Sequence, residues 1–259
     1  AFLSLWEDGV RVRWVASEAA LNSAASGFYC STVTSGTATV YYKATGAGNP
    51  SSNGKIVEIS RRNYGLKSGD AATNWRVNGI HTRRSLHNDG SLVVSSEGSR
   101  ITNCLAEDGT KHNVYIGADC VAENVIAWKC DWVDRTGSTM FVGFTPDGRG
   151  HKVTFRKCVA VTDVTKVQAA IGVSGLQGFY AHTAGPSQKW GEVVYEDCAV
   201  SGATNAYSSG DLALLTMARN YSEEAASHVD SYAATLNITD HSINGVGSIV
   251  YSRGIEVGA

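Results

Sequence analysis

A short phrase that recurs along the second and third quarters of the chain restricts the fold more than any other feature. It reads Arg100-Ile101-Thr102-Asn103-Cys104-Leu105-Ala106-Glu107-Asp108, then Ile126-Ala127-Trp128-Lys129-Cys130-Asp131-Trp132-Val133-Asp134. Val153-Thr154-Phe155-Arg156-Lys157-Cys158-Val159-Ala160-Val161-Thr162-Asp163 and Val193-Val194-Tyr195-Glu196-Asp197-Cys198-Ala199-Val200 follow. Each copy alternates apolar and polar residues, kinks at a polar residue, places a cysteine and alternates again. Cys104, Cys130, Cys158 and Cys198 lie 26, 28 and 40 residues apart. A nearly constant interval of this size marks stacked repeats, none of which buries its apolar side alone.

The interval is too short for a propeller blade, and the strand pattern is too regular for a helical repeat. A solenoid of strands remains: an all-β, single-stranded parallel β-helix. Residues on either side of the kink then belong to two sheets that meet at a corner. Phe155, Cys158 and Ala160 are expected inside, with Thr154, Arg156 and Val159 outside. Equivalent residues stack about 4.8 Å apart, so the four cysteines are expected to form an internal ladder of small apolar side chains. That placement suits buried thiols better than cross-links, although an even count of six cysteines also permits pairing.

A chain of 259 residues, 43% hydrophobic and 18% charged, can bury a substantial core. A formal charge of −2 gives no drive toward nucleic acid or anionic lipid, and no apolar run reaches the length of a membrane span. Ala1-Phe2-Leu3-Ser4 is neither an initiator nor a signal peptide, so a processed chain or a piece of a longer one is expected. A short helix is expected over Val15–Ala25, capped by Ser17 and ended by Gly27. Phe28–Val33 and Thr37–Lys43 read as a hairpin around Thr34-Ser35-Gly36, and Lys55–Ser60 as a strand. Residues 1–74 are thus expected to hold a helix-plus-hairpin cap or a separate small domain, and residues 75–259 the solenoid. Its early strands are Trp75–His81, Ser91–Ser95, Asn113–Gly117 and Thr139–Thr145. A loop insertion is expected within 178–190, a short helical turn at Tyr221–Ser227, and late strands at Thr235–Thr239 and Ser248–Ser252.

The phrase ending in Asn103-Cys104, Lys157-Cys158 or Asp197-Cys198 resembles right-handed parallel β-helix proteins of the pectate-lyase-like group. That group includes polysaccharide lyases, glycoside hydrolases and bacteriophage tailspikes. The likeness covers roughly Trp75 to Val257. Phe28-Tyr29, Val40-Tyr41-Tyr42 and Asn49-Pro50 in the opening resemble β-helix chains encoded in phage tail regions. The resemblance implies a right-handed coil and an extracellular or virion-associated protein that binds polysaccharide or a cell-surface glycan during host recognition. It also implies a homo-oligomer, a trimer if tailspike-like. Lyase or hydrolase activity and a purely structural assembly role are the alternatives, because this scaffold hosts all three.

Candidate chemistry follows the coil ends. Asp108, Asp134 and Asp163 fall four or five residues after their cysteines. On one edge they would stand about 4.8 or 9.6 Å apart, bracketing the separations used by glycosidases. Aspartate is equally a common turn residue. A lyase needs a cation to neutralise a uronate and a base to take the neighbouring proton. Lys111 or Arg135 fits the first role, and His112, Tyr115 or a lysine the second, with a solvated turn as the plain alternative. Trp128, Tyr180, His182 and Trp190 offer aromatic faces to sugar rings, with core packing as their alternative. No metal site is expected, since the histidines form no close set with a third ligand and the cysteines lack C-x-x-C spacing. No cofactor is expected, because Asp147-Gly148-Arg149-Gly150-His151 matches no phosphate loop.

Overall fold

A computed structural model describes residues 5–31, 39–46, 52, 54–59, 64–68, 73–85, 90–109, 112–128, 140–147, 151–162, 175–181, 190–210, 212–223, 225, 227–233, 235–245 and 248–251. The chain divides into two compact units, Ala1–Arg62 and Asn63–Ala259.

The first unit holds β1 (Leu5–Glu7), β2 (Val10–Arg11), α1 (Glu18–Ser23), β3 (Gly27–Cys30), β4 (Val40–Lys43) and β5 (Val57–Ile59). β1 pairs antiparallel with β2 and β5, and β3 with β4 in the expected hairpin. Ser17 caps α1 as expected, its hydroxyl accepting from the Ala20 N–H at 3.1 Å. The helix is shorter than expected and closes at Ala24, whose N–H donates to Ala20 and Leu21 carbonyls. Gly27 therefore opens the next strand rather than ending the helix. Leu5, Val12 and Phe28 form the core of this unit, with Trp14, Val40 and Tyr42 against it. Glu7 is buried there, bonded to the Tyr42 hydroxyl, the Thr45 N–H at 2.9 Å and the Lys55 ammonium at 2.8 Å. Burial pushes its carboxyl pKa up, but Lys55 and Thr45 outweigh that and leave it below the ordinary value.

The second unit is a parallel β-helix. It opens with β6 (Leu66–Lys67), and its first coil is β7 (Arg76–Asn78), β8 (His81–Arg83) and β9 (Leu92–Val94). The next coils are β10 (Arg100–Thr102), β11 (Leu105–Glu107), β12 (His112–Gly117), and β13 (Val121–Glu123), β14 (Ile126–Trp128), β15 (Met140–Asp147). Then come β16 (Lys152–Arg156), β17 (Val159–Val161), β18 (Gly175–Ala181), and β19 (Trp190–Glu196), β20 (Ala199–Ser201), β21 (Asn205–Ser209). The last are β22 (Leu212–Ala218), β23 (Tyr221–Glu223), β24 (Ser227–Ser231), and β25 (Thr235–Thr239), β26 (Ser242–Asn244), β27 (Ser248–Tyr251). Corresponding strands pair in parallel into three faces of seven, seven and eight strands, here the first (β7 to β25), second (β8 to β26) and third (β6 to β27).

The corner between the first and second faces explains the polar kink. Gly79, Asn103, Asn124, Lys157, Asp197, Arg219 and Asp240 occupy it in successive coils, and all have positive φ, between 52° and 69°. Glycine, asparagine and aspartate tolerate this conformation best. The amides stack: Asn124 donates to Asn103 at 2.7 Å, and Asn103 to Asn78 at 2.8 Å. Further along, Arg219 donates to Asp197 and to Glu196, which also accepts from Arg156. Arg156 and Arg219 hold the Glu196 carboxyl below its ordinary pKa.

This corner corrects three expectations. Trp75–His81 is not one strand; Gly79 turns the chain between β7 and β8. Tyr221–Ser227 is not a helical turn, because β20 and β26 flank β23 and draw it into the second face. The position after the corner reads Cys104, Val125, Cys158, Cys198 and Asn220, so Val125 stands where Cys130 was expected. Cys130 itself lies outside the described residues. The spacing misled because coil lengths vary: from Arg100 to Val121 is 21 residues, to Thr154 a further 33, and to Val194 a further 40. The longest coil has its extra residues on both sides of β18, only partly within 178–190.

Inside, Phe144, Phe179 and Tyr207 stack at 4.6 and 5.2 Å. Phe155 and Tyr195 pack against them from the first face. Phe155, Cys158 and Ala160 are buried as expected. Cys104, Cys158 and Cys198 are free buried thiols. Burial, with Cys158 alongside, pushes the Cys198 thiol pKa well up, which keeps it protonated and unreactive.

Candidate functional site on the second face

Strand alternation makes the second face of the solenoid apolar outside as well as inside. Ala106, Ala127, Ala160, Val200 and Ser222 point inward and are buried. Beside them, Leu105, Ile126, Val159, Ala199 and Tyr221 form one outward column, and Glu107, Trp128, Val161, Ser201 and Glu223 the other. Trp128 is 41% exposed and Ile126 39%. Polar groups bound this stripe along the axis. His81 Nε2 lies 3.1 Å from Glu107 at one end. At the other, the Tyr221 hydroxyl donates to Glu223 at 2.8 Å and accepts from Asn244 at 3.2 Å. Tyr221, with Ser201, keeps the Glu223 carboxyl below its ordinary pKa and therefore ionised.

The sequence-derived site residues divide between faces. Asp108 follows β11 with φ of 54° and donates its N–H to the Trp128 carbonyl. The Asn113 side chain fixes the same corner, accepting from Gly109 N–H at 2.6 Å and donating to Trp128 O at 2.9 Å. Asp108 is thus in a built turn beside the stripe. The described coil positions equivalent to it are Arg84, Thr162, Gly202 and Gly245, so the register brings no second carboxylate to that edge among the described residues. His112 is buried, its ring stacked on Tyr115 at 6.4 Å. Tyr115 and Tyr180 stand with Thr145 in one outward column of the third face, Thr145 between them and buried. Trp190 opens β19 in the first face. Lys111, Asp134, Arg135, Asp163 and His182, and the Trp190 side chain, lie outside the described residues.

Of the expected aromatic residues that are described, Trp128 alone belongs to the stripe. Leu105, Ile126, Val159, Val161 and Tyr221 were missed, although the signal was there: apolar residues alternate at outward positions of a strand whose inward positions are already small and apolar. A second grouping leaves no linear trace. Glu97, Asp119 and His151 come together at the corner preceding the first face.

Comparison with protein-family models, with curated proteins and with solved structures finds no match in any of the three. What the geometry defines is the class, a parallel β-helix solenoid whose second face carries an exposed aromatic and aliphatic stripe.

Proposed function

We propose that this protein is an extracellular or virion-associated β-helix protein that binds surface polysaccharide along its second face. One observation carries the reading: Trp128 is exposed within an apolar stripe on a parallel sheet, with hydrogen-bonding groups at both ends. An indole face stacks on the C–H side of a sugar ring, and carboxylate, phenol and amide groups bond its hydroxyls. Glu107 and Glu223 are acceptors; Asn244 and His81 supply donors. The strand spacing, about 4.8 Å, repeats these groups along the axis, as a repeating polymer requires.

Titration against a panel of capsular and algal polysaccharides tests this. The native chain should bind at least one of them, and Trp128→Ala should weaken that binding about tenfold, equivalent to 1.4 kcal/mol. Undiminished binding by the variant, or no binding across the panel, would remove the proposal. Release of reducing ends or unsaturated uronates would instead favour a lyase or hydrolase. A native trimer that Trp128→Ala dissociates would assign the stripe to self-association.

A further inference from the structure

We propose that Glu97, Asp119 and His151 form a binding site for a divalent transition-metal ion of the zinc type, which ties three successive coils together. The residues lie far apart in sequence, and the coil register alone unites them. Glu97 precedes Gly98 at the corner before β10, Asp119 occupies the same corner before β13, and His151 precedes β16. One atom from each, two carboxylate oxygens and an imidazole nitrogen, lies within 4.8 Å of the others.

Asp119 is the pivot. Its φ of 52° turns the side chain's backbone anchor at the middle coil. Its Oδ1 accepts from the Lys152 N–H at 3.2 Å, and its Oδ2 lies 3.0 Å from His151 Nδ1. One carboxylate thus already touches the coil above through both a backbone donor and a ring.

Charge points the same way. Lys152, whose backbone meets Asp119, sends its ammonium to Glu192 at 3.1 Å. Among the described residues the Glu97 carboxylate has no hydrogen-bond or ion-pair partner. Two carboxylates and an imidazole therefore converge at this corner. A zinc-type ion bonds such donors at about 2.0–2.2 Å. All three side chains are exposed, so small rotamer changes can draw them to that radius. The nitrogen donor favours zinc-type ions over calcium and magnesium, which take oxygen ligands. Solvent would complete the coordination, and the ion would link three successive coils along this corner.

Calorimetric titration of the full chain with zinc sulfate, after chelation and desalting, is the test, with thermal unfolding followed in parallel. One zinc per chain at this site and a raised unfolding temperature are expected, with much weaker binding of calcium. Asp119→Asn keeps a residue that tolerates positive φ and an oxygen for the Lys152 N–H, so the fold should survive. That variant and His151→Ala should each weaken zinc binding at least about tenfold. Zinc affinity unchanged in both variants, no zinc bound at millimolar concentration, or calcium bound as tightly as zinc would each overturn the proposal.

Discussion

The middle and last coils of the solenoid share a backbone ladder and differ in what fills it. Phe144, Phe155, Phe179, Tyr195 and Tyr207 pack ring against ring in the middle. One coil beyond Tyr207 the same column holds Val229, and its surroundings turn polar. Asn220 sits where Cys198 stood one coil earlier; it accepts from Cys198 N–H at 2.8 Å and donates to Tyr195 O at 2.9 Å. Ser222 Oγ lies between His228 Nδ1 at 2.9 Å and His241 Nε2 at 3.1 Å. The parallel ladder therefore tolerates either interior. The middle coils draw stability from apolar burial, and the last from a hydrogen-bond network whose members must stay neutral.

The largest expected effect breaks the aromatic half. Phe179 is wholly buried and touches Phe144, Phe155, Tyr195 and Tyr207. Phe179→Ala leaves a cavity that rigid neighbouring coils cannot fill, and should cost about 3–5 kcal/mol in urea unfolding. Val229→Ala in the same column removes less surface and should cost clearly less. Equal costs would show that the rings contribute nothing beyond what any apolar filler supplies.

Acid separates the halves by a second route. Burial, and then the nearby His228, lower the His241 pKa from 6.5 to about 4; burial also lowers that of His228. The folded state thus binds fewer protons than the unfolded chain, and stability rises with pH across this range. The contribution is complete above about pH 6.5 and is lost progressively as pH falls toward 4. It should amount to roughly 2 kcal/mol for His241, allowing for partial solvent access. Glu7, Glu196 and Glu223 have lowered pKa values and lose their contributions only as pH falls through and below their unfolded value of 4.5. The window from 6.5 to 5 therefore belongs to the histidines. His241→Gln should flatten unfolding free energy against pH there, and an unchanged slope would exclude the pair as its source.

The solenoid was legible in the sequence because alternation and the polar kink are local: a period of two and a positive φ leave marks on single residues such as Asn103 and Asp197. Register was not. Cysteine at 130 imitated a repeat because the coil containing Trp128 is long, and nothing local distinguishes a lengthened coil from a shifted one. The aspartate edge inferred from that spacing rested on the same equivalence, and its members Asp134 and Asp163 lie outside the described residues; Thr162 and Gly202 hold described positions equivalent to Asp108 in later coils. Trp128 was readable as an outward aromatic. Glu97, Asp119 and His151 were not readable as a group, since their juxtaposition depends on coil lengths alone.

The smallest expected effect concerns the corner that both halves share. Asn103 adopts φ of 53° and belongs to the amide ladder with Asn78 and Asn124, whereas the later coils place Lys157, Asp197 and Arg219 there. Asn103→Ala loses both exposed side-chain bonds and leaves the left-handed region to a residue without asparagine's local hydrogen bonding, a cost of about 1–2 kcal/mol. Asn103→Gly loses the same bonds without that conformational cost, so it should be about 1 kcal/mol more stable than the alanine variant. Chemical denaturation of the two side by side isolates the backbone from the ladder. If alanine and glycine destabilise equally, the corner is held by its amides, and the charged side chains of the later coils must be doing the equivalent task through Arg219 and Asp197.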